Sequence, residues 1–167
     1  MDLKQQHNPI ASDTRTNKQS GKAELRHYGM PTIFNYGFIP QTWEDGAAGG
    51  DNDPIDLVDL SQHKKPVLAV SDYMVLGCLG LIDQGETDWK VLAIDVQEAM
   101  DRKINSLADF EKLYPGRVGA VREWFRTYKT LEGKGLNEFI ADGIVFGVDR
   151  TLEVIYETNV QYRKMLE

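Results

Sequence analysis

Between Glu44 and Asp59 the chain sets six carboxylates, Glu44, Asp45, Asp51, Asp53, Asp56 and Asp59, within sixteen residues that include no basic one. Any fold that gathers such a segment must bring positive charge to it, because converging carboxylates repel by several kcal/mol at an effective dielectric of about 20. In Asp51-Asn52-Asp53-Pro54-Ile55-Asp56 an extended backbone puts Asp51 and Asp53 on one face. Pro54 removes a ladder donor and biases Asp53 towards an extended conformation, after which Asp56 can return to the same side. An all-oxygen donor set of high negative charge suits a hard dication, Mg²⁺, Mn²⁺ or Ca²⁺. The competing reading is an acidic, solvated loop, and the segment alone does not decide between them. An EF-hand is excluded, because its sixth and twelfth loop positions require Gly and Glu where this chain has Asp56 and Gln62.

A second acidic group lies in Asp83-Gln84-Gly85-Glu86-Thr87-Asp88-Trp89-Lys90, which joins two strand-like runs. Closed by a four-residue loop, this hairpin places Asp83 opposite Asp88 at about 5 Å. Lys90, two residues beyond Asp88, shares its face. Opposed like charges weaken a sheet, so this pair also asks for a cation. Two acidic pairs, one flanked by a lysine, favour metal-assisted phosphate chemistry. Tyr128 and Lys129 close a helix. Tyr128 is either a core aromatic or a phosphate ligand, and Lys129 either a cation at the helix dipole or a second such ligand. Tyr36, in the turn-like Asn35-Tyr36-Gly37, is open to packing and site roles alike.

The rest of the chain bounds the class. At 167 residues it is expected to form one domain, with residues 1–24 as a polar N-terminal segment and 25–167 as the domain proper. Nineteen Lys and Arg against 26 Asp and Glu give a net charge of −7, which disfavours nucleic acid as a partner. A single cysteine, Cys78, fits a reducing compartment, and the opening residues carry no secretory h-region, so a cytoplasmic location is expected. No apolar run is long enough for a membrane helix. Val67 to Ile82 and Trp89 to Asp95 have strand character, with Gly77 and Gly80 marking bulges or close backbone approach. Ser106-Leu107-Ala108-Asp109 opens a short helix that Pro115 ends. Val118, Val121, Phe125 and Tyr128 form the stripe of a second. Val148 to Glu167 forms a third, with Leu152, Ile155, Tyr156 and Tyr162 as its apolar side. Strands followed by helices indicate an α+β fold.

Taken together, Asn35-Tyr36-Gly37, Pro40-Gln41-Thr42-Trp43-Glu44-Asp45, Gly50-Asp51-Asn52-Asp53-Pro54-Ile55-Asp56, Asp83 to Lys90 and Glu123-Trp124-Phe125-Arg126-x-Tyr128-Lys129 resemble the soluble family I inorganic pyrophosphatases, eukaryotic-type branch. The resemblance implies a distorted, OB-like five-stranded β-barrel with two or three packed helices. It implies hydrolysis of diphosphate to two phosphates with Mg²⁺, Mn²⁺ being a substitute, in a homo-oligomer, preferably a dimer. On this resemblance Asp56 bridges two metals, Asp51 and Asp88 hold one of them, and Asp83 with Asp88 holds a further one. Asp53 orients or deprotonates the attacking water, and Tyr36, Lys90, Tyr128 and Lys129 bind phosphate oxygens, Lys90 and Tyr128 with a catalytic share. A catalytically weak binding or partner protein is the alternative.

The chain also departs from the pattern. Asn8-Pro9-Ile10 matches a stretch well inside the family's chain, which leaves an early Glu and a Lys-x-Glu pair without counterparts. A rival alignment puts Lys22 and Glu24 on that pair and Arg26 on the family's next arginine. Thr32 stands where the first of two site tyrosines is expected. With strands missing, either a partner subunit or residues 1–24, folded back as a substitute strand, is expected to cover the sheet edge.

Overall fold

The two longest strands of the molecule are built from its most apolar runs and pair antiparallel with each other. In the structure, a computed structural model describing residues 12–17 and 19–167, the strands are β1 (Thr14–Thr16), β2 (Ala23–Leu25), β3 (Asn35–Phe38), β4 (Asp56–Asp59), β5 (Tyr73–Asp83), β6 (Glu86–Asp95) and β7 (Glu138–Phe139). The α-helices are α1 (Val96–Arg102), α2 (Leu107–Leu113), α3 (Arg117–Thr127) and α4 (Val148–Met165). The main sheet has the order β3-β4-β6-β5-β7, with β4 and β6 parallel and its other pairs antiparallel. This is the α+β arrangement, a mixed five-stranded sheet with edges at β3 and β7.

Alternation along β6 builds two cores. Leu92 and Ile94 face a cluster with Leu79, Phe110, Val121 and Phe125, which covers one face of the sheet with α1, α2 and α3. Val91 and Ala93 face Ile55, Leu57, Cys78 and Val154, the cluster beneath α4. Each fully buried Leu, Ile or Phe contributes about 1.5–3 kcal/mol, so these two layers hold the strands that carry the acidic groups. At Gly77 the β5–β6 register shifts, and an added Cβ would stand 2.6 Å from the Phe146 carbonyl oxygen. At Gly80 an added Cβ would stand 2.8 Å from Ile140 Cδ1, so both glycines mark close approach, the first of them at a bulge.

Several expectations need correction. Among the described residues the α-helices number four, because Asp95 ends β6 and also caps α1, its carboxylate accepting the Gln97 and Glu98 amides. The first long strand starts at Tyr73. Before it, Leu68 turns left-handed (φ 70°) and Val70 is 94% exposed. Among the described residues, 14–25 pair only with each other, as β1 and β2, and add no strand to the main sheet. Residues 1–11, Asn8-Pro9-Ile10 among them, lie outside the described residues.

The helices begin as their sequences indicate, but one packs unexpectedly. Ser106 caps α2 by accepting the Asp109 amide at 3.1 Å, and Val118, Val121 and Phe125 are buried along α3. The C-terminal helix buries Thr151, Val154 and Thr158 instead of the larger apolar side. Thr151 and Thr158 donate their hydroxyls to the Gly147 and Val154 carbonyls, which leaves their methyl groups free to pack. Leu152 and Tyr156 face outward, 51% and 68% exposed.

Candidate active site

The acidic segment from Glu44 onward folds into a closed loop. Glu44 donates its amide to the Asp53 carbonyl at 2.9 Å and accepts the Asn52 amide at 2.9 Å. Gly50 is required in between, since a Cβ there would meet the Glu44 carbonyl oxygen at 2.5 Å. Thr87 donates its amide to the Gly49 carbonyl at 2.8 Å and so ties the loop to β6. Asn52 is left-handed (φ 63°), not extended, so Asp51 and Asp53 do not share a strand face. Asp51 turns inward, and Asp53 stays at the exposed rim with its amide on Asp51 Oδ1 at 3.0 Å.

This loop brings Glu44 and Asp51 to Asp88 of β6. One carboxylate oxygen from each of the three lies within 4.8 Å of the others. Glu44 Oε1 accepts the Trp89 amide at 2.9 Å, while its Oε2 is buried without a hydrogen-bond partner. Burial pushes Glu44 up to about 9, Asp51 to about 6 and Asp88 to about 7, and the neighbouring carboxylates add to the shift. A hard dication fits this donor set, for it would neutralise the repulsion and give the orphaned Oε2 a ligand role.

Asp56 and Lys90 lie directly opposite in the parallel β4–β6 pair. Lys90, buried on the face it shares with Asp88, pairs with both Asp56 and Asp88 and donates to the Tyr36 hydroxyl at 3.1 Å. Tyr36 in turn donates to Asp56. Burial opposes the Lys90 charge, but Asp56 and Asp88 overcome it and hold its pKa well above the usual value. Asp56, Asp88, Lys90 and Tyr36 thus form one network, which Asp88 joins to Glu44 and Asp51.

Asp83 and Asp88 are not cross-strand partners. The hairpin closes on two residues, Gln84 (φ 55°) and Gly85 (φ 96°), both left-handed, so Asp83 pairs with Glu86 and Asp88 faces Leu81. Asp83 instead offers both carboxylate oxygens to Lys129, which is buried just past α3. Tyr128 packs as a core aromatic, with its hydroxyl near charged groups. Its ring stacks on Trp124 at 4.8 Å and 6°, while its hydroxyl, pushed up first by burial, senses Asp83, Lys90, Asp88 and Arg26.

Lys22 and Glu24 stand on the exposed β1–β2 hairpin, where Glu24 accepts from Asn17 Nδ2 at 2.5 Å, so the rival alignment does not bring them to the site. Arg26 does approach it. It pairs with Asp13 at 3.3 Å and Glu132 at 3.1 Å and lies 4.6 Å over the Tyr28 ring, which stacks on Tyr128 at 6.2 Å. Tyr28 therefore places an aromatic ring beside Tyr128, whereas Thr32 has none. Sequence reasoning named neither Glu44 nor Tyr28 as a site residue, and the signal for Glu44 was its place at the head of the acidic segment.

Residues 8–163 match the family described as inorganic pyrophosphatase. An inorganic pyrophosphatase of Kluyveromyces lactis is 40% identical over 95% of the chain and 58% of its own length. Inorganic pyrophosphatase 1 of Caenorhabditis elegans is 41% identical over the whole chain and 40% of its own length. The chain therefore spans about half the length of these curated relatives. Among solved structures, the type I inorganic pyrophosphatase of Toxoplasma gondii superposes with a TM-score of 0.81 at 38% identity, covering 89% of this chain and 67% of that one. A truncated vacuolar soluble pyrophosphatase of Trypanosoma cruzi, in complex with PPi, reaches 0.87 at 32% identity, covering 98% of this chain and 63% of that one. The acidic loop, the β6 lysine and the Tyr128-Lys129 pair thus sit in a fold and a sequence that agree, and the chain belongs to the inorganic pyrophosphatase family.

Proposed function

We propose that the protein hydrolyses inorganic diphosphate to two phosphates, with Mg²⁺ as cofactor and Mn²⁺ as a substitute. The observation that carries this reading is the Glu44–Asp51–Asp88 triad, with its partnerless buried oxygen, one residue pair away from the buried Lys90. The Trypanosoma cruzi relative in complex with PPi supports the choice of substrate. Asp51, Asp56, Asp83 and Asp88 hold the divalent ions, joined by Glu44. Bound there, such ions polarise phosphoryl oxygens and acidify water.

The chain's own groups do the rest. Lys90 and Lys129, neutralised by carboxylates here, turn their ammonium groups to the phosphate oxygens once those carboxylates are otherwise engaged. Tyr36 and Tyr128, both kept protonated at neutral pH, donate hydroxyl hydrogen bonds to the same oxygens. Asp53, at the rim, orients the attacking water and takes its proton. Phosphoryl transfer needs mainly positioning and charge stabilisation, which this set supplies.

The same reading takes residues 25–167 as one pyrophosphatase-like domain and the sheet, bent at the Gly77 bulge, as a distorted OB-like barrel. It places the protein in the cytoplasm, consistent with the free, buried Cys78, and in a homodimer. The test is phosphate release from diphosphate with and without Mg²⁺. Release that requires the metal, and that Asp56→Asn abolishes while the far-UV spectrum is unchanged, is expected. No release above blank with either Mg²⁺ or Mn²⁺ would overturn the enzyme reading.

A further inference from the structure

Tyr128 stands where α3 gives out, and rings hold its side chain more than the helix does. Its amide still donates to the Trp124 carbonyl at 2.9 Å, but the chain then leaves α3 for a tight turn at Thr130–Glu132. Helix ends fray, so a side chain there keeps one pose only if packing imposes it. Trp124, one turn earlier, stacks on the Tyr128 ring at 4.8 Å and 6°, and its indole Nε1 is fixed by donating to the Pro31 carbonyl at 2.9 Å. Tyr28 stacks on the same ring at 6.2 Å and 28°. Among the described residues no ring contact joins Tyr28 to Trp124, so the Tyr128 ring lies between them.

Tyr28 is anchored more firmly than a half-exposed tyrosine needs to be. Its hydroxyl donates to Asp13 Oδ2 at 2.6 Å, and the Arg26 guanidinium lies 4.6 Å over its ring. Arg26 in turn pairs with Asp13 at 3.3 Å and with Glu132 at 3.1 Å. Glu132 belongs to the turn that follows Lys129. Gly29, the next residue after Tyr28, approaches the same turn so closely that an added Cβ would stand 2.8 Å from Leu131 Cβ. The anchor thus closes on the segment that carries Tyr128 and Lys129.

We infer that Tyr28 is a positioning residue, which holds the Tyr128 ring against Trp124 and so keeps the Tyr128 hydroxyl aimed at the phosphate oxygens. This rests on the diphosphate hydrolysis proposed above. Tyr28 itself touches neither substrate nor metal in this role. A displacement of about 1 Å at a reacting centre can cost on the order of a hundredfold in rate, so a ring that limits the motion of Tyr128 has a measurable effect. The ring carries the role and the hydroxyl only anchors it. Phenylalanine therefore serves at position 28, and an aliphatic side chain of similar bulk does not.

The experiment is steady-state phosphate release in Mg²⁺ by the full chain, with circular dichroism melts verifying that each variant is folded at the assay temperature. Tyr28→Leu is expected to lower kcat on the order of tenfold with KM changed less than about twofold, because lysines and metal ions hold the ground-state substrate. Tyr28→Phe should keep at least about half of the wild-type kcat. In Tyr128→Phe, which has no hydroxyl to aim, adding Tyr28→Leu should cost less than about twofold more. An active wild type whose kcat survives Tyr28→Leu would overturn the inference, as would Tyr28→Phe as slow as Tyr28→Leu. An undiminished loss in the Tyr128→Phe background would also overturn it, by showing that Tyr28 acts through Arg26 or through the fold. A wild type that releases no phosphate overturns the diphosphatase reading and this inference with it, so the wild type alone tells the two failures apart.

Discussion

The Glu44 carboxylate is divided between two fates: Oε1 accepts the Trp89 amide at 2.9 Å, and Oε2 is buried with no partner. The first fixes the acidic loop to β6, and the second leaves an unsatisfied oxygen on a side chain clustered with Asp51 and Asp88. A buried, unsatisfied polar group costs about 1–3 kcal/mol, so the metal-free protein bears a penalty that a cation relieves.

Glu44→Gln should therefore act oppositely with and without metal. The amide keeps an acceptor for Trp89 and a donor at every pH, which stabilises chelator-treated protein by about 1 kcal/mol above about pH 9, where Glu44 itself is ionised. The same change should remove most of the thermal stabilisation that Mg²⁺ confers. Melting curves in EDTA and in Mg²⁺ check both signs. An unchanged Mg²⁺ increment would exclude Glu44 as a ligand.

Stability of the metal-free protein should fall as pH rises from about 5 to 9. Unfolded carboxylates titrate near pH 4, whereas burial lifts Asp51, Asp88 and Glu44 to about 6, 7 and 9 in the folded protein. Across that window the folded state binds more protons, and each group removes up to about 1.4 kcal/mol per pH unit until it ionises. At the acid end the sign reverses: Asp95, lowered by its hydrogen bond to Lys65 at 2.5 Å, loses its contribution as pH falls through its folded value. Urea melts in EDTA at several pH values test this, and Mg²⁺ should flatten the alkaline decline.

Lys90→Met should cost about 3–5 kcal/mol in EDTA, because it strands Asp56 and Asp88 without their buried counter-charge. In Mg²⁺ the loss should be much smaller, while phosphate release falls by a factor on the order of a hundred. Equal destabilisation in both buffers would mean that no cation reaches these carboxylates.

Gly50→Ala should weaken Mg²⁺ binding without unfolding the protein, because the new Cβ meets the Glu44 carbonyl oxygen at 2.5 Å and pushes the loop off β6. Gly119→Ala, where an added Cβ meets nothing within 4 Å, is the control and should stabilise α3 by up to about 1 kcal/mol. Titration calorimetry with Mg²⁺ distinguishes the two variants.

The sequence made some of this visible and concealed the rest for physical reasons. Asp88 and Lys90 share a face by strand alternation alone, and that relation holds in the structure. The Asp83–Asp88 pairing fails because Gln84, not a glycine, adopts a left-handed turn conformation and shortens the loop to two residues. Glu44 stands in the acidic segment, but its meeting with Asp88 depends on a contact with Trp89 that is 45 positions away, which local spacing does not encode. The buried face of α4 was misjudged because Thr151 and Thr158 hide their hydroxyls in their own helix, whereas hydrophobicity alone favours Leu152 and Tyr156.

The parallel register that sets Asp56 opposite Lys90 also fixes when the site can exist during folding. The β5–β6 hairpin is local and can zip early, carrying Asp83, Asp88 and Lys90 with it. Asp51 and Asp56 arrive only when β4 docks beside β6, across a separation of 34 positions whose chain must first be ordered. Affinity for divalent ions should therefore return with the slowest refolding phase, and a chain trapped before that docking would have a folded hairpin and no site.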